Sequence, residues 1–136
     1  MTEQSLPLLP IVLAALSYLG LGFLWYSPAM FGHEWMRLTS KEGKLAEMKD
    51  MGAPIAWSIA SAFAISYALA SAITAFAPQS LYECVSVAIL CWIGFSAATS
   101  IGEYAFLKKP MKLFLINSGY NFAAFILIAV LYKIMI

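Results

Sequence analysis

Few side chains in this sequence could do chemistry, and their spacing decides how little. Glu103 is the carboxylate that falls inside a long apolar run, about one helical turn from its end. A charge at the bilayer centre costs at least about 2.5–3.5 kcal/mol, and less towards the interface, so such a residue is a candidate ion or proton site. On a regular helix its face also carries Trp92, Ser96, Thr99 and Ser100. In the last apolar run Asn117, Tyr120 and Asn121 recur at i, i+3 and i+4, which makes a polar stripe. Tyr26 and Ser27, closing the first run, arrive at the same depth. The candidate ligand or ion pocket is therefore Glu103, Asn117, Tyr120, Asn121, Ser100, Tyr26 and Ser27. The competing reading makes these groups interhelical glue, worth about 0.6 kcal/mol per hydrogen bond on average, with Glu103 paired to Lys112 or Arg37.

Other chemistry finds little material. His33 is the single histidine, and a zinc site wants three or four His, Cys or acidic ligands. No metal site and no cofactor is expected. No G-x-S-x-G or similar nucleophile motif accompanies His33. Cys84 and Cys91 stand about 10 Å apart along a helix, too far to bond to one another. They read as small buried hydrophobes. This inventory argues against an enzyme.

The elements that must position these residues follow from composition. The chain has 136 residues, 62% hydrophobic and 11% charged, with a mean hydropathy of +0.83. A soluble chain this short could not hide so much apolar surface. The balance of eight Lys and Arg against seven Asp and Glu also leaves no basic field for nucleic acid. Four runs reach the roughly 20 apolar residues a spanning helix needs: Leu6–Tyr26, Ala53–Phe76, Leu81–Phe106 and Leu113–Tyr132. The expected fold is all-α, a single four-helix membrane domain of four transmembrane helices in an up-down bundle.

Punctuation marks the ends of these runs. Pro28, Pro78 and Pro110 stop or separate them, and Ser80-Leu81-Tyr82-Glu83 has capping-box spacing. The short link Ala77–Ser80 makes the second and third spans an antiparallel hairpin. Seven of the eight basic residues fall between spans one and two or between three and four. The positive-inside rule then puts both loops in the cytoplasm and both termini on the outer, periplasmic side. The first run lacks the basic start of a signal peptide and reads as a retained span.

Residues 33–52 form the expected cytoplasmic interfacial segment. Thr39-Ser40-Lys41-Glu42 has capping spacing, and Leu45, Met48 and Met51 recur every three residues, the pattern of a short amphipathic helix on the bilayer surface. Before it stands Leu24-Trp25-Tyr26-Ser27-Pro28, then Phe31-Gly32, then Trp35. Trp25, Phe31 and Trp35 read as interface anchors, with Gly32 permitting a sharp turn. This L-W-Y-S-P…F-G…W pattern, with Asn117-x-Gly119-Tyr120 later, resembles the small bacterial membrane proteins called domain of unknown function 1761. The resemblance covers nearly the whole chain and implies four helices in a bacterial inner membrane. It brings no activity, cofactor or catalytic residue.

Packing signals are denser than chemical ones. Ala56, Ala60, Ala64, Ala68 and Ala72 repeat every four residues, and Gly94, Ala98 and Gly102 do the same in the third span. Such spacing lets helix backbones approach closely. A self-associating or complex-forming membrane subunit without catalytic activity is the expectation, its partners the lipid bilayer and copies of itself or other membrane subunits. The alternative is a small homo-oligomeric transporter or ligand-binding protein using the cytoplasmic-side pocket around Glu103.

Overall fold

The computed structural model describes residues 5–39 and 52–136. The calls on Ser40 to Met51, including the Leu45, Met48 and Met51 spacing, lie outside the described residues. Helix α1 is Leu8–Trp25, α2 is Gly32–Thr39, α3 is Gly52–Phe76, α4 is Leu81–Phe106 and α5 is Met111–Met135. No strand occurs among the described residues. The four helices α1, α3, α4 and α5 are long and apolar enough to cross a membrane. That is the signature of a multi-pass membrane protein.

Local signals close the helices. Past α1, a turn through Pro28 bonds Met30 N and Gly32 N to the Ser27 carbonyl, each at 3.0 Å. Gly32 is required there by space. A Cβ on it would stand 2.4 Å from the Tyr26 carbonyl oxygen. Between α3 and α4 the chain reverses at Ala77, whose φ of 47° is left-handed. Ser80 then caps α4 by accepting from Glu83 N at 3.1 Å, while the Glu83 carboxylate accepts from Gln79 N at 2.7 Å. The first bond satisfies an N–H that a helix start would otherwise leave orphaned, and the second braces the residue before the cap.

Within α4, Ile93–Ala97 is a π-helical turn. One i→i+5 turn adds a residue to the register, so everything after it rotates by about 100° relative to a regular helix.

Helix α5 is the hub of the chain. It packs on α1, α2, α3 and α4, and half of its most apolar window is buried, against 28% or less for the other three. Small side chains make these approaches possible: Ala15, Ala62, Ala88, Ala124 and Ala129 are all fully buried. Around them Ile11, Leu69, Ile73, Val87, Phe125 and Ile128 form one cluster towards the α3–α4 hairpin. A second, smaller cluster of Leu38, Leu113 and Ile116 lies at the opposite, loop end, faced by Trp25, Tyr26, Trp35 and Tyr104.

The alanine repeat of α3 lies outside both clusters except at Ala72, which packs against the larger one. Ala56, Ala60, Ala64 and Ala68 are exposed and Ala72 is half-buried, while Ala62, Ser66, Leu69, Ala70 and Ile73 supply the buried face. Gly94, Ala98 and Gly102 are exposed too.

Candidate functional site

The polar groups of the bundle converge at the loop end, where the end of α1 meets the first half of α5. Pro28 stops α1 just after Trp25 and Tyr26, which leaves both rings turned towards α5. The Trp25 indole N–H donates to the Ile116 carbonyl at 3.0 Å. That is a helix carbonyl already committed within its own ladder, so the indole finds its partner without opening α5. The Trp25 ring stacks at 4.8 Å on Phe31 and 6.4 Å from Tyr120. Gly119 gives it room, since a Cβ there would stand 3.3 Å from the indole. Trp35 of α2 closes the rim edge-on to Tyr26 at 5.5 Å.

Beneath the rings runs a chain of side-chain hydrogen bonds. The Tyr26 hydroxyl donates to Asn117 Oδ1 at 2.8 Å, and Asn117 Nδ2 donates to the Tyr104 hydroxyl at 2.7 Å. Asn117 thus ties α1 and α4 to α5. Deeper, the Tyr18 hydroxyl donates to Asn121 Oδ1 at 3.2 Å, and the Tyr120 hydroxyl donates to the Tyr18 carbonyl at 2.7 Å. Each bond spares a polar group an unpaired burial, which costs about 1–3 kcal/mol where no water can substitute.

Of the residues singled out by sequence, Tyr26, Asn117, Tyr120 and Asn121 come together here. Ser27 and Ser100 do not join them. The Ser27 hydroxyl donates to the Leu24 carbonyl at 2.6 Å and the Ser100 hydroxyl to the Ser96 carbonyl at 2.7 Å, both within their own segment. Glu103 stands apart as well. Its side chain is 61% exposed and lies 3.6 Å from Lys109, rather than against Lys112 or Arg37.

The π turn explains this difference. On a regular helix Glu103 sits about 20° round from Trp92 and Tyr104 about 120°. The extra residue moves Tyr104 into the place Glu103 would have held. Accordingly Trp92 donates to the Ser118 carbonyl at 2.9 Å, and Tyr104 meets Asn117 and the Phe114 ring on the same helix.

Tyr104 is therefore a residue that sequence reasoning missed for want of any local signal. Tyr18 was missed too, although a signal existed: with Gly22 and Trp25 it follows i, i+4, i+7 along one face of α1.

The anchors on α2 carry a charge cluster. Glu34 pairs with Arg37 on its own helix and with Lys112 of α5 at 3.0 Å. The hydrogen bonds from Arg37 and then Lys112 hold its carboxyl down to about 2. His33, beside it, is exposed. Among the described residues no three His, Cys, Asp or Glu side chains are grouped to hold a metal ion. Cys84 is buried with its thiol against the Ala129 carbonyl at 3.4 Å, and Cys91 is half-buried; both are free.

What this arrangement defines is a helical membrane bundle whose loop end is fastened by tyrosines, tryptophans and two asparagines. The chain belongs to the family described as "Protein of unknown function (DUF1761)", which matches residues 9–132. No curated protein and no solved structure matches it.

Proposed function

We propose that this protein is a self-associating or complex-forming membrane subunit without catalytic activity, set in a bacterial inner membrane with both termini on the periplasmic side. The observation that carries the reading is the outward placement of Gly94, Ala98 and Gly102. All three are exposed, and a Cβ added at Gly94 or Gly102 would meet nothing within 4 Å. Ala56, Ala60, Ala64 and Ala68 give α3 a comparable outward strip. Between lipid-solvated helices, close backbone contact over small residues is a main source of attraction. The strips have not been consumed inside one copy and are available to another.

The polar residues favour the same reading. The phenol and amide groups of Tyr18, Tyr26, Asn117, Tyr120 and Asn121 are engaged with one another or with backbone, as glue requires. A transporter coupled through Glu103 would need that carboxylate among them, and it faces Lys109 instead. The orientation rests on the basic residues: Arg37, Lys108, Lys109 and Lys112 all sit at the loop end, opposite Lys133.

Native mass spectrometry of the full chain, extracted from its own membranes in mild detergent, tests the proposal. The expected result is a homo-oligomer or a stoichiometric complex that Gly94→Leu with Gly102→Leu takes apart, leaving helix content unchanged. A monodisperse monomer, unaltered by these changes or by Ala64→Leu, overturns it.

A further inference from the structure

Between α1 and α3, beside the tyrosine network, lies a cleft of about 410 Å³ lined by Tyr18, Gly22, Tyr26, Trp57, Ser61 and Tyr120, with Leu19, Phe23 and Ser58 completing its wall. We propose that this cleft binds an organic ammonium or comparable lipophilic cation. The proposal goes beyond association and does not depend on it.

The argument is an account of hydrogens. Three phenols line the cleft, and each has committed its proton elsewhere: Tyr26 to Asn117, Tyr18 to Asn121 and Tyr120 to the Tyr18 carbonyl. A hydroxyl whose proton is committed has only lone pairs left to offer. The cleft therefore offers a guest no free phenol proton, and it is walled by the π electrons of three tyrosines and a tryptophan. No Lys or Arg is among its lining residues. Aromatic rings without a competing cation select a guest that is positive, and recognition of ammonium groups by aromatic walls follows the same electrostatics. The guest's apolar substituents match Leu19, Phe23 and the flank of Trp57.

Two details show that the cleft is shaped rather than left over. Gly22 allows the Tyr120 hydroxyl to reach the α1 backbone, because a Cβ there would stand 3.0 Å from that oxygen. The rings are also braced against one another, Tyr120 at 5.1 Å from Tyr18 and 5.5 Å from Tyr26. They are held in position before a guest arrives, so little ordering cost falls on binding. Trp57, by contrast, is 74% exposed, and its side chain makes no hydrogen bond or ring contact with another described residue. It is the free wall of the cleft.

The test uses two probes of like size and opposite charge, tetraphenylphosphonium and tetraphenylborate, titrated by calorimetry into the full chain in mild detergent. Saturable binding of one phosphonium per chain is expected, with the borate at least about tenfold weaker. Trp57→Leu is expected to weaken the phosphonium about tenfold, and Trp57→Phe to recover part of the loss. Ser61→Trp, which fills the cleft from an exposed position, should abolish saturation. Equal affinity for the two ions overturns the proposal, as does phosphonium binding that ignores Trp57→Leu or Ser61→Trp. Native mass is recorded on the same samples, so that a change in assembly is read separately from loss of the cation site.

Discussion

The two ends of the bundle are held together by different means. At the hairpin end, Ala88, Ala129 and Ile128 are completely buried beside Ile73 and Tyr132, and the contact is mostly a matter of shape. Its polar contribution is small: Thr74 and the Tyr132 hydroxyl lie 3.0 Å apart, and Lys133 Nζ donates to the Pro78 carbonyl at 2.9 Å. At the loop end the contacts are made by larger side chains. Rings of Trp25, Tyr26, Trp35, Tyr104 and Tyr120 fill the space, and Asn117 and Asn121 fasten them. Lipid removes most of the hydrophobic drive between helices and leaves two remedies, close packing over small residues and interhelical hydrogen bonds. This protein uses one remedy at each end. Cavities occur at both ends, one of about 460 Å³ beside Thr74, Pro78 and Tyr132 and one of about 410 Å³ among the rings, so the aromatic lining rather than empty space distinguishes the loop end.

That contrast can be broken at several points. The largest effect is expected from Ala129→Leu at the hairpin end. Overpacking a filled contact costs about 1–3 kcal/mol, and a residue with no exposure belongs at the top of that range. Denaturation in detergent followed by circular dichroism measures it; a loss below about 0.5 kcal/mol would show that this end is loosely packed.

Asn117→Leu at the loop end removes two interhelical hydrogen bonds. With an average of about 0.6 kcal/mol each and a maximum near 1.7, the expected loss is about 1–2 kcal/mol. A double-mutant cycle with Tyr26→Phe separates bonding from packing. Additive losses would mean that ring packing alone secures this end.

Ala77→Gly acts in the opposite direction. Relief of a left-handed backbone at a φ of 47° should stabilise the hairpin by about 0.5–1 kcal/mol, read from the same denaturation curve.

The smallest effect is at α2. A carboxyl held low contributes stability that is complete above its ordinary value and fades as pH falls towards its folded one. The Glu34 tether to α5 should therefore persist from neutral pH to about 4.3 and be released as pH falls towards about 2. Carbon NMR of the Glu34 carboxyl tracks this directly. Arg37→Met should raise its midpoint more than Lys112→Met does, because the Arg37 hydrogen bond is the larger cause.

Local chemistry made much of the fold legible. The four apolar runs, the proline stops at Pro28, Pro78 and Pro110, and the Ser80 cap depend on residues within a turn or two of one another. Their positions in the structure agree with the sequence limits to within about three residues, as helix ends generally do. The gathering of Tyr26, Asn117, Tyr120 and Asn121 was also legible, because their spacing on two helices and the shared depth of those segments follow from helical rise alone.

What the sequence could not determine was which way each helix turns its face. The π turn at Ile93–Ala97 adds a residue to the register of α4. It replaces Glu103 with Tyr104 in the site, and nothing in the composition of Gly94-Phe95-Ser96 announces it. Within the single chain α5 holds the centre, and the alanine repeat of α3 is turned outward except at the half-buried Ala72. Hydropathy specifies that a helix enters the membrane, since each residue is solvated by lipid on its own account. Facing is a property of pairs of helices, set by which side chains interlock and which hydrogen bonds close. Only the tertiary structure could choose Tyr104 over Glu103.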